Sequence, residues 1–153
     1  MAIAIRDAEL RDMDWLFGQL QEFDKFAGYK RSLMEDTAYA RLALKQMIEE
    51  HVCLIAFAEN PAIYDQPVGF ISGWRTPHPF NPRISVLTEC FWWVAKAHRG
   101  GRAGLMLLDA FESIGRKYCD WVVMTLEHHS PVSEKHLFKR GFVAREKSYL
   151  VEV

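Results

Sequence analysis

The stretch from Phe91 to Leu108 concentrates the groups able to do chemistry in this chain of 153 residues. An apolar strand, Phe91-Trp92-Trp93-Val94-Ala95, runs into a turn of small residues, which opens a helix. Gly100, Gly101 and Gly104 let backbone N–H groups approach a ligand closely, and a helix N-terminus adds partial positive charge. Together these make an anion site suited to a pyrophosphate. Lys96, His98, Arg99 and Arg102 focus further positive charge on the same turn. The plain alternative is a loop with solvated arginines. A Rossmann fingerprint fits poorly, because the helix comes late and no repeated strand–helix–strand units surround it; the Gly-Lys-Ser/Thr ending of a Walker A loop is absent.

Other reactive residue types take structural readings. Glu127, His128, His129 and His136 hold metal-ligand groups, but adjacent histidines on an extended segment point opposite ways, so no metal site is expected. Cys90 neighbours Glu89, yet strand alternation puts the two on opposite faces, and a small buried hydrophobe is the expected role. Trp92 and Trp93 read as sheet packing. Cys53, Cys90 and Cys119 are odd in number, far apart and without CxxC spacing. Reduced thiols in a cytoplasm fit that pattern better than a disulfide scaffold or zinc.

The elements that position these groups follow from periodicity. Ile3-Ala4-Ile5 is a short first strand. Met13, Leu16, Phe17, Leu20 and Phe23 recur at helical spacing, and Gly28 marks the stop. A second helix starts at Asp36-Thr37, burying Ala40, Ala43, Leu44 and Met47. Val52 to Ala58 reads as a strand covered on both faces. Asn60-Pro61 and Asp65-Gln66-Pro67 mark the turn to a hairpin partner at Val68–Trp74. Prolines between Pro77 and Pro82 predict an irregular loop, and Leu87 to Val94 a fourth strand. A helix from Ala103 to about Tyr118 and a strand at Trp121–Leu126 follow. Ser130-Pro131 reads as an N-cap and first helical position, opening a helix to Arg140. Phe142 to Val153 reads as a last strand segment or two. The order is that of a mixed α/β domain filling residues 1–153.

Composition narrows the classes. Half the residues are apolar and a quarter charged, which is globular composition. Nineteen basic against twenty acidic residues leave a net charge of −1, arguing against a surface built mainly for nucleic acid. The chain start lacks a cationic and apolar leader, and no stretch approaches 18 apolar residues, so no membrane span is expected.

Arg99-Gly100-Gly101-Arg102-Ala103-Gly104 resembles the Arg/Gln-x-x-Gly-x-Gly/Ala signature of the GNAT superfamily of acyl-CoA-dependent N-acetyltransferases. It keeps the first arginine and last glycine but carries Arg102 where the family usually has glycine. The run from His98 to Gly104 is similar to a variant of phage-encoded or bacterial members. Ile3 to Ala8 resembles the family's opening strand, and Val68-Gly69-Phe70-Ile71 its third. Leu137-Phe138-Lys139-Arg140-Gly141-Phe142 resembles the closing Leu-Tyr-x-x-x-Gly-Phe motif.

This resemblance implies a mixed central sheet of six to seven strands, helices on both faces, and strands 4 and 5 splayed apart. It implies acetyl-CoA as acyl donor and a primary amine as acceptor, attacking directly in a ternary complex. Main-chain groups near Val94 and Ala95 would hold pantetheine, and Arg99, Gly100, Gly101, Arg102, Ala103 and Gly104 the pyrophosphate. Ser130 stands where many members carry a cofactor-binding asparagine, although N-capping also explains it. Glu89 is the candidate general base: its apolar neighbours should raise its pKa. An ion pair with Arg75 or Arg83 is its structural alternative. Leu137 occupies the place of the family's tyrosine acid and cannot donate, leaving Tyr149, Tyr118 or water. The acceptor side would be built from about Phe26 to Asp36 and from Thr76 to Ser85. An inactive CoA- or protein-binding module is the rival reading, and exposed strand edges allow a homodimer.

Overall fold

Alternation in Ile3–Asp7 makes β1, which points Ile3 and Ile5 toward one core. In this computed structural model, residues 2–60 and 65–153 are described. The Pro61 part of the expected Asn60-Pro61 turn lies outside them. Past β1, Arg6 grips Asp12 with two hydrogen bonds of 2.7 and 2.9 Å, and Asp12 also accepts from the Glu9 N–H at 2.8 Å. That staple sets the start of α1, Met13–Ala27, which buries Leu16, Phe17 and Leu20. Helix α2, Thr37–Glu50, begins where the Asp36 carboxylate accepts from the Tyr39 N–H at 3.0 Å. The helix starts where the sequence places it, at Asp36-Thr37, with Asp36 as its N-cap.

The sheet runs in the order β1-β2-β3-β4-β5, with β2 at Val52–Ala58, β3 at Gln66–His78, β4 at Asn81–Val94 and β5 at Trp121–Val123. Neighbours are antiparallel except β4 and β5, which are parallel. Parallel neighbours need a crossover, and α3, Ala103–Tyr118, supplies it. Helices cover both faces. Leu107 and Phe111 of α3 pack with Leu54, Val68, Ile71 and Leu87. On the other face α1 and α2 cover Cys53, Ile55 and Phe70. Close approach of α3 needs glycine on both sides. A Cβ on Gly73 would lie 2.6 Å from the Phe111 ring and 2.7 Å from the Thr88 carbonyl, and one on Gly115 would collide with Val122.

Five expectations change. Five strands are present among the described residues, against the six to seven implied by the resemblance. The proline-rich segment is not an irregular loop, because β3 extends to His78 and β4 starts at Asn81. Pro77 and Pro82 sit near the hairpin tip, before β5 begins to pair with β4, so their missing N–H groups cost the ladder little. The helix read from Ser130 to Arg140 shrinks to α4, Lys135–Phe138. Ser130 and Ser133 hydroxyls instead accept from the N–H groups of Val132 and Lys135, local turns that compete with a helix. Phe142 to Val153 carries no strand. β5 stops at Val123, short of the expected Leu126, and the final segment returns to the end of α1, where Glu152 accepts from the Lys30 N–H at 2.7 Å.

Candidate active site

Pairing between β4 and β5 ends abruptly. Val86, Leu87 and Thr88 pair with Trp121, Val122 and Val123, and beyond Thr88 the strands part. On its other side β4 carries a bulge, with Phe91 opposite Ser72 and Glu89 opposite Gly73. The extra residue, Cys90, puts Cys90 and Phe91 together on the α1 and α2 side, while Trp92 and Val94 face α3. A bulge bends and re-aims its strand. Here it lies where β4 leaves β5, and the splay expected between strands 4 and 5 opens as a crevice.

Glu89 is the first residue of β4 past the parting, and it is 8% exposed. Its Oε2 accepts from the Thr125 N–H at 3.3 Å, which ties the carboxyl across the crevice to the segment leaving β5. Burial pushes the carboxyl up to about 8, against a small downward pull from the Thr125 N–H. Neither expected ion pair forms. Arg75 donates instead to the Tyr118 carbonyl and lies over the Tyr118 ring, and Arg83 makes no ion pair among the described residues. Cys90 packs on the opposite side, and burial raises its thiol to about 11, so it is a poor nucleophile.

Beyond the bulge the strand presents backbone to the crevice. The Ala95 N–H donates to Val68 at 2.8 Å, and the Ala95 carbonyl accepts from the His98 N–H at 2.8 Å. Ala95 is therefore occupied on both counts, whereas antiparallel alternation turns the N–H and carbonyl of Val94 toward the edge that β5 leaves. The Val94 carbonyl accepts from Arg99 Nε at 2.9 Å, and the Arg99 guanidinium lies 4.3 Å over the Trp93 ring.

The turn follows at once. Gly100 takes a φ of +83°, and Arg102 precedes α3 in a start that no side chain caps. The Trp92 indole N–H donates to the Gly104 carbonyl at 3.1 Å, fixing the strand to the first turn of the helix. Lys96, His98, Arg99 and Arg102 form no ion pair among the described residues. His98, Gly101, Arg102 and Ala103 border an open depression of about 530 Å³ that reaches Ile3. The side chain of Arg102 thus stands at an accessible rim.

The remaining residues separate. Ser130 lies in the turn after β5, where its hydroxyl accepts from Val132 and its N–H donates to Glu127. Tyr149 is 89% exposed, and Tyr118 ends α3 at the opposite end from the Gly104 turn. Thr76 to Ser85 forms the hairpin tip, on the other side of the paired β4–β5 segment from Glu89, so it does not border the crevice. His128 and His129 sit in a turn, not an extended segment, with ring centroids 5.1 Å apart. No group of three or more metal-ligating side chains occurs among the described residues.

A family model described as the acetyltransferase (GNAT) family matches residues 12–142. The chain belongs to the GNAT acetyltransferase family. Its fold is shared with solved structures across nearly their whole length. A transcriptional regulator from Bacillus halodurans is 20% identical, with a TM-score of 0.75, covering 99% of this chain and 100% of its own. A ribosomal-protein-alanine N-acetyltransferase from Brucella melitensis is 20% identical, with a TM-score of 0.69 and full coverage of both chains. A predicted acetyltransferase from Clostridium acetobutylicum with acetyl-CoA is 14% identical, with a TM-score of 0.72, covering 99% of this chain and 96% of that one. No curated protein matches the sequence. No helix among the described residues is long and apolar enough to cross a membrane. Within this GNAT frame, one site residue was not evident from the sequence. Thr125, which donates to the Glu89 carboxyl, comes from a segment 36 residues away and meets it only in the folded chain.

Proposed function

We propose that this GNAT protein transfers an acetyl group from acetyl-CoA to a primary amine bound in the crevice, with Glu89 as general base. The observation that carries the reading is a buried carboxyl at the parting of β4 and β5, held by one backbone N–H and, among the described residues, by no cation.

The residues present suit the donor. Lys96, Arg99 and Arg102, which form no ion pair among the described residues, and the uncapped start of α3 favour a pyrophosphate, with N–H groups from Gly100 to Gly104 in reach. Val94 offers its carbonyl to an amide-bearing arm once Arg99 releases it. Ser130 would contribute through its hydroxyl, and Ala95 by shaping the strand end. Acetyl-CoA supplies an acetyl group activated as a thioester.

Amine attack needs a neutral nitrogen. An ordinary ammonium with a pKa near 10.4 costs about 4.6 kcal/mol to deprotonate at pH 7. Glu89, ionising at about 8, takes that proton directly or through water close to the working pH, where a base is most effective. A C–N bond forms as the C–S bond breaks, the amine proton passes to Glu89, and the departing sulphur is protonated from solvent. The Val94 N–H faces the crevice and is suited to polarise the acyl carbonyl.

One observation favours a module without turnover. Leu137 and Phe138 stand where a hydroxyl donor is expected, and neither can give a proton. Calorimetric titration with acetyl-CoA, followed by a turnover assay on a panel of primary amines, separates the readings. Micromolar binding with turnover supports acetyl transfer; binding without turnover on any amine favours the module; no binding up to millimolar concentration overturns both.

A further inference from the structure

The chain after α4 crosses from one face of the sheet to the other. Its root is fixed on α3, where Arg140 donates to Asp109 at 2.6 and 3.0 Å and the Arg140 carbonyl accepts from Arg116 at 2.6 Å. Gly115, next to Arg116, packs on Val122 of β5, so this root lies beside the open edge of the sheet. The far end is fixed where Glu152 meets the Lys30 N–H, just past α1, on the face that α1 covers.

Between these anchors, residues 143–151 form an arm that is exposed throughout. Tyr149 is 89% exposed, Leu150 70% and Val151 79%. Consecutive residues of a chain without helix or turn do not point one way, so the arm is bare on more than one side. Its backbone makes no hydrogen bond among the described residues, and Arg145, Glu146 and Lys147 form no ion pair among them. Water satisfies such a backbone but gains nothing from the apolar side chains. Val143, Tyr149, Leu150 and Val151 expose on the order of 600 Å² on each molecule, most of the roughly 800 Å² that each partner gives to a stable interface.

Length and charge indicate what covers the arm. A ladder needs an edge to pair with along its length. β5, the strand at the open edge beside the root, has only Trp121–Val123, far shorter than the arm. The same arm on a second copy matches it in length and composition. Arg145, Glu146, Lys147 and Glu152 sum to no net charge. Two arms therefore meet without the repulsion of like-charged segments, and a nucleic acid finds no basic stripe to follow.

We propose that this chain forms a homodimer in which residues 143–151 of two copies pair antiparallel about a twofold axis, covering Tyr149, Leu150 and Val151. Antiparallel pairing of a segment with itself is self-complementary and closes after two copies. Trp121 and Val123, exposed on β5 beside the root, extend the covered surface. The proposal is independent of acetyl transfer, because the arm contributes no residue to the crevice chemistry.

Sedimentation of the full chain across micromolar concentrations tests it, together with hydrogen exchange of the arm amides. Tyr149→Pro with Leu150→Pro removes N–H groups from both sides of the arm without breaking a hydrogen bond of the molecule itself. Leu150→Asp with Val151→Asp keeps the backbone and charges the apolar surface. The parent should be a dimer whose arm amides exchange about tenfold or more slowly than in the variants. Both variants should be monomers where the parent is dimeric, with circular dichroism confirming the fold; if one variant fails to fold, the other decides. A monomeric parent overturns the proposal, whether its arm exchanges freely or is protected by its own molecule. A dimer that survives both variants, or whose arm amides exchange as fast as theirs, places the interface elsewhere and also overturns it. Open-ended assembly in place of a dimer overturns the twofold pairing.

Discussion

The Glu89 carboxylate accepts a hydrogen bond from the Thr125 backbone N–H at 3.3 Å, across the gap where β4 and β5 have stopped pairing. In a regular parallel sheet the backbone groups of the two strands would bond each other there. A side chain has taken over one of those bonds, in a place too dry to ionise it easily. That substitution makes a structural gap into a chemical site, and the expected properties of the protein follow from it.

The first concerns stability. Because the folded-state pKa of Glu89 is raised to about 8 from an ordinary 4.5, the native state keeps a proton that the unfolded state has released between those values. Stability then falls as pH rises, by a little over 1 kcal/mol per pH unit across that window, and the loss is complete above the folded pKa. Glu89→Gln cannot ionise and lacks this contribution. Urea unfolding at pH 5, 6, 7 and 8 should show the variant gaining on the parent by roughly 2 kcal/mol or more over the series. Parallel curves would mean that Glu89 is not a high-pKa group.

Arg99 has two tasks in this account: it shields the Val94 carbonyl in the free protein and contributes charge to the pyrophosphate site. Arg99→Ala should weaken acetyl-CoA binding by about ten- to a hundredfold, the value of a charge-assisted contact of roughly 1.5–3 kcal/mol. Arg99→Lys should recover only part of this, since lysine lacks the planar fork that stacks on Trp93. Equal dissociation constants for all three proteins would remove Arg99 from the donor site.

Gly73 faces the bulge, and an added methyl there meets the Phe111 ring and the Thr88 carbonyl well inside van der Waals distance. Gly73→Ala should lower stability by about 1–3 kcal/mol through overpacking. Because its partner across the strand is Glu89, it should also depress activity beyond what the lost stability explains. Thermal unfolding and turnover well below the melting temperature check both. A variant as stable and active as the parent would show that the bulge is not held by this contact.

Much of this frame could be read in the sequence. The helical spacing of Met13, Leu16, Phe17, Leu20 and Phe23, the helix start at Asp36-Thr37 and the glycine-arginine turn are local signals, and each describes a local structure that is present. Glu89 could be named as a base only through the family resemblance, since one carboxylate on an apolar strand has several uses. The bulge at Cys90 depends on register against Gly73 and Ser72, which no single strand encodes. The chain end folds back to the end of α1, where Glu152 lies over a hundred residues from its partner Lys30, a contact no local pattern announces. Phe142 to Val153 has strand-like composition, but a strand requires a paired edge, and β5 is too short to provide one.

The most direct test of the central claim is the pH dependence of kcat with acetyl-CoA saturating and a primary amine as acceptor, for the parent and Glu89→Gln. The account predicts that parent turnover rises through about pH 8 as Glu89 ionises. The variant should be at least tenfold slower without that inflection, its affinity for acetyl-CoA nearly unchanged. Parent turnover unchanged from pH 6 to 9, or a variant as fast as the parent, would contradict a catalytic role for Glu89.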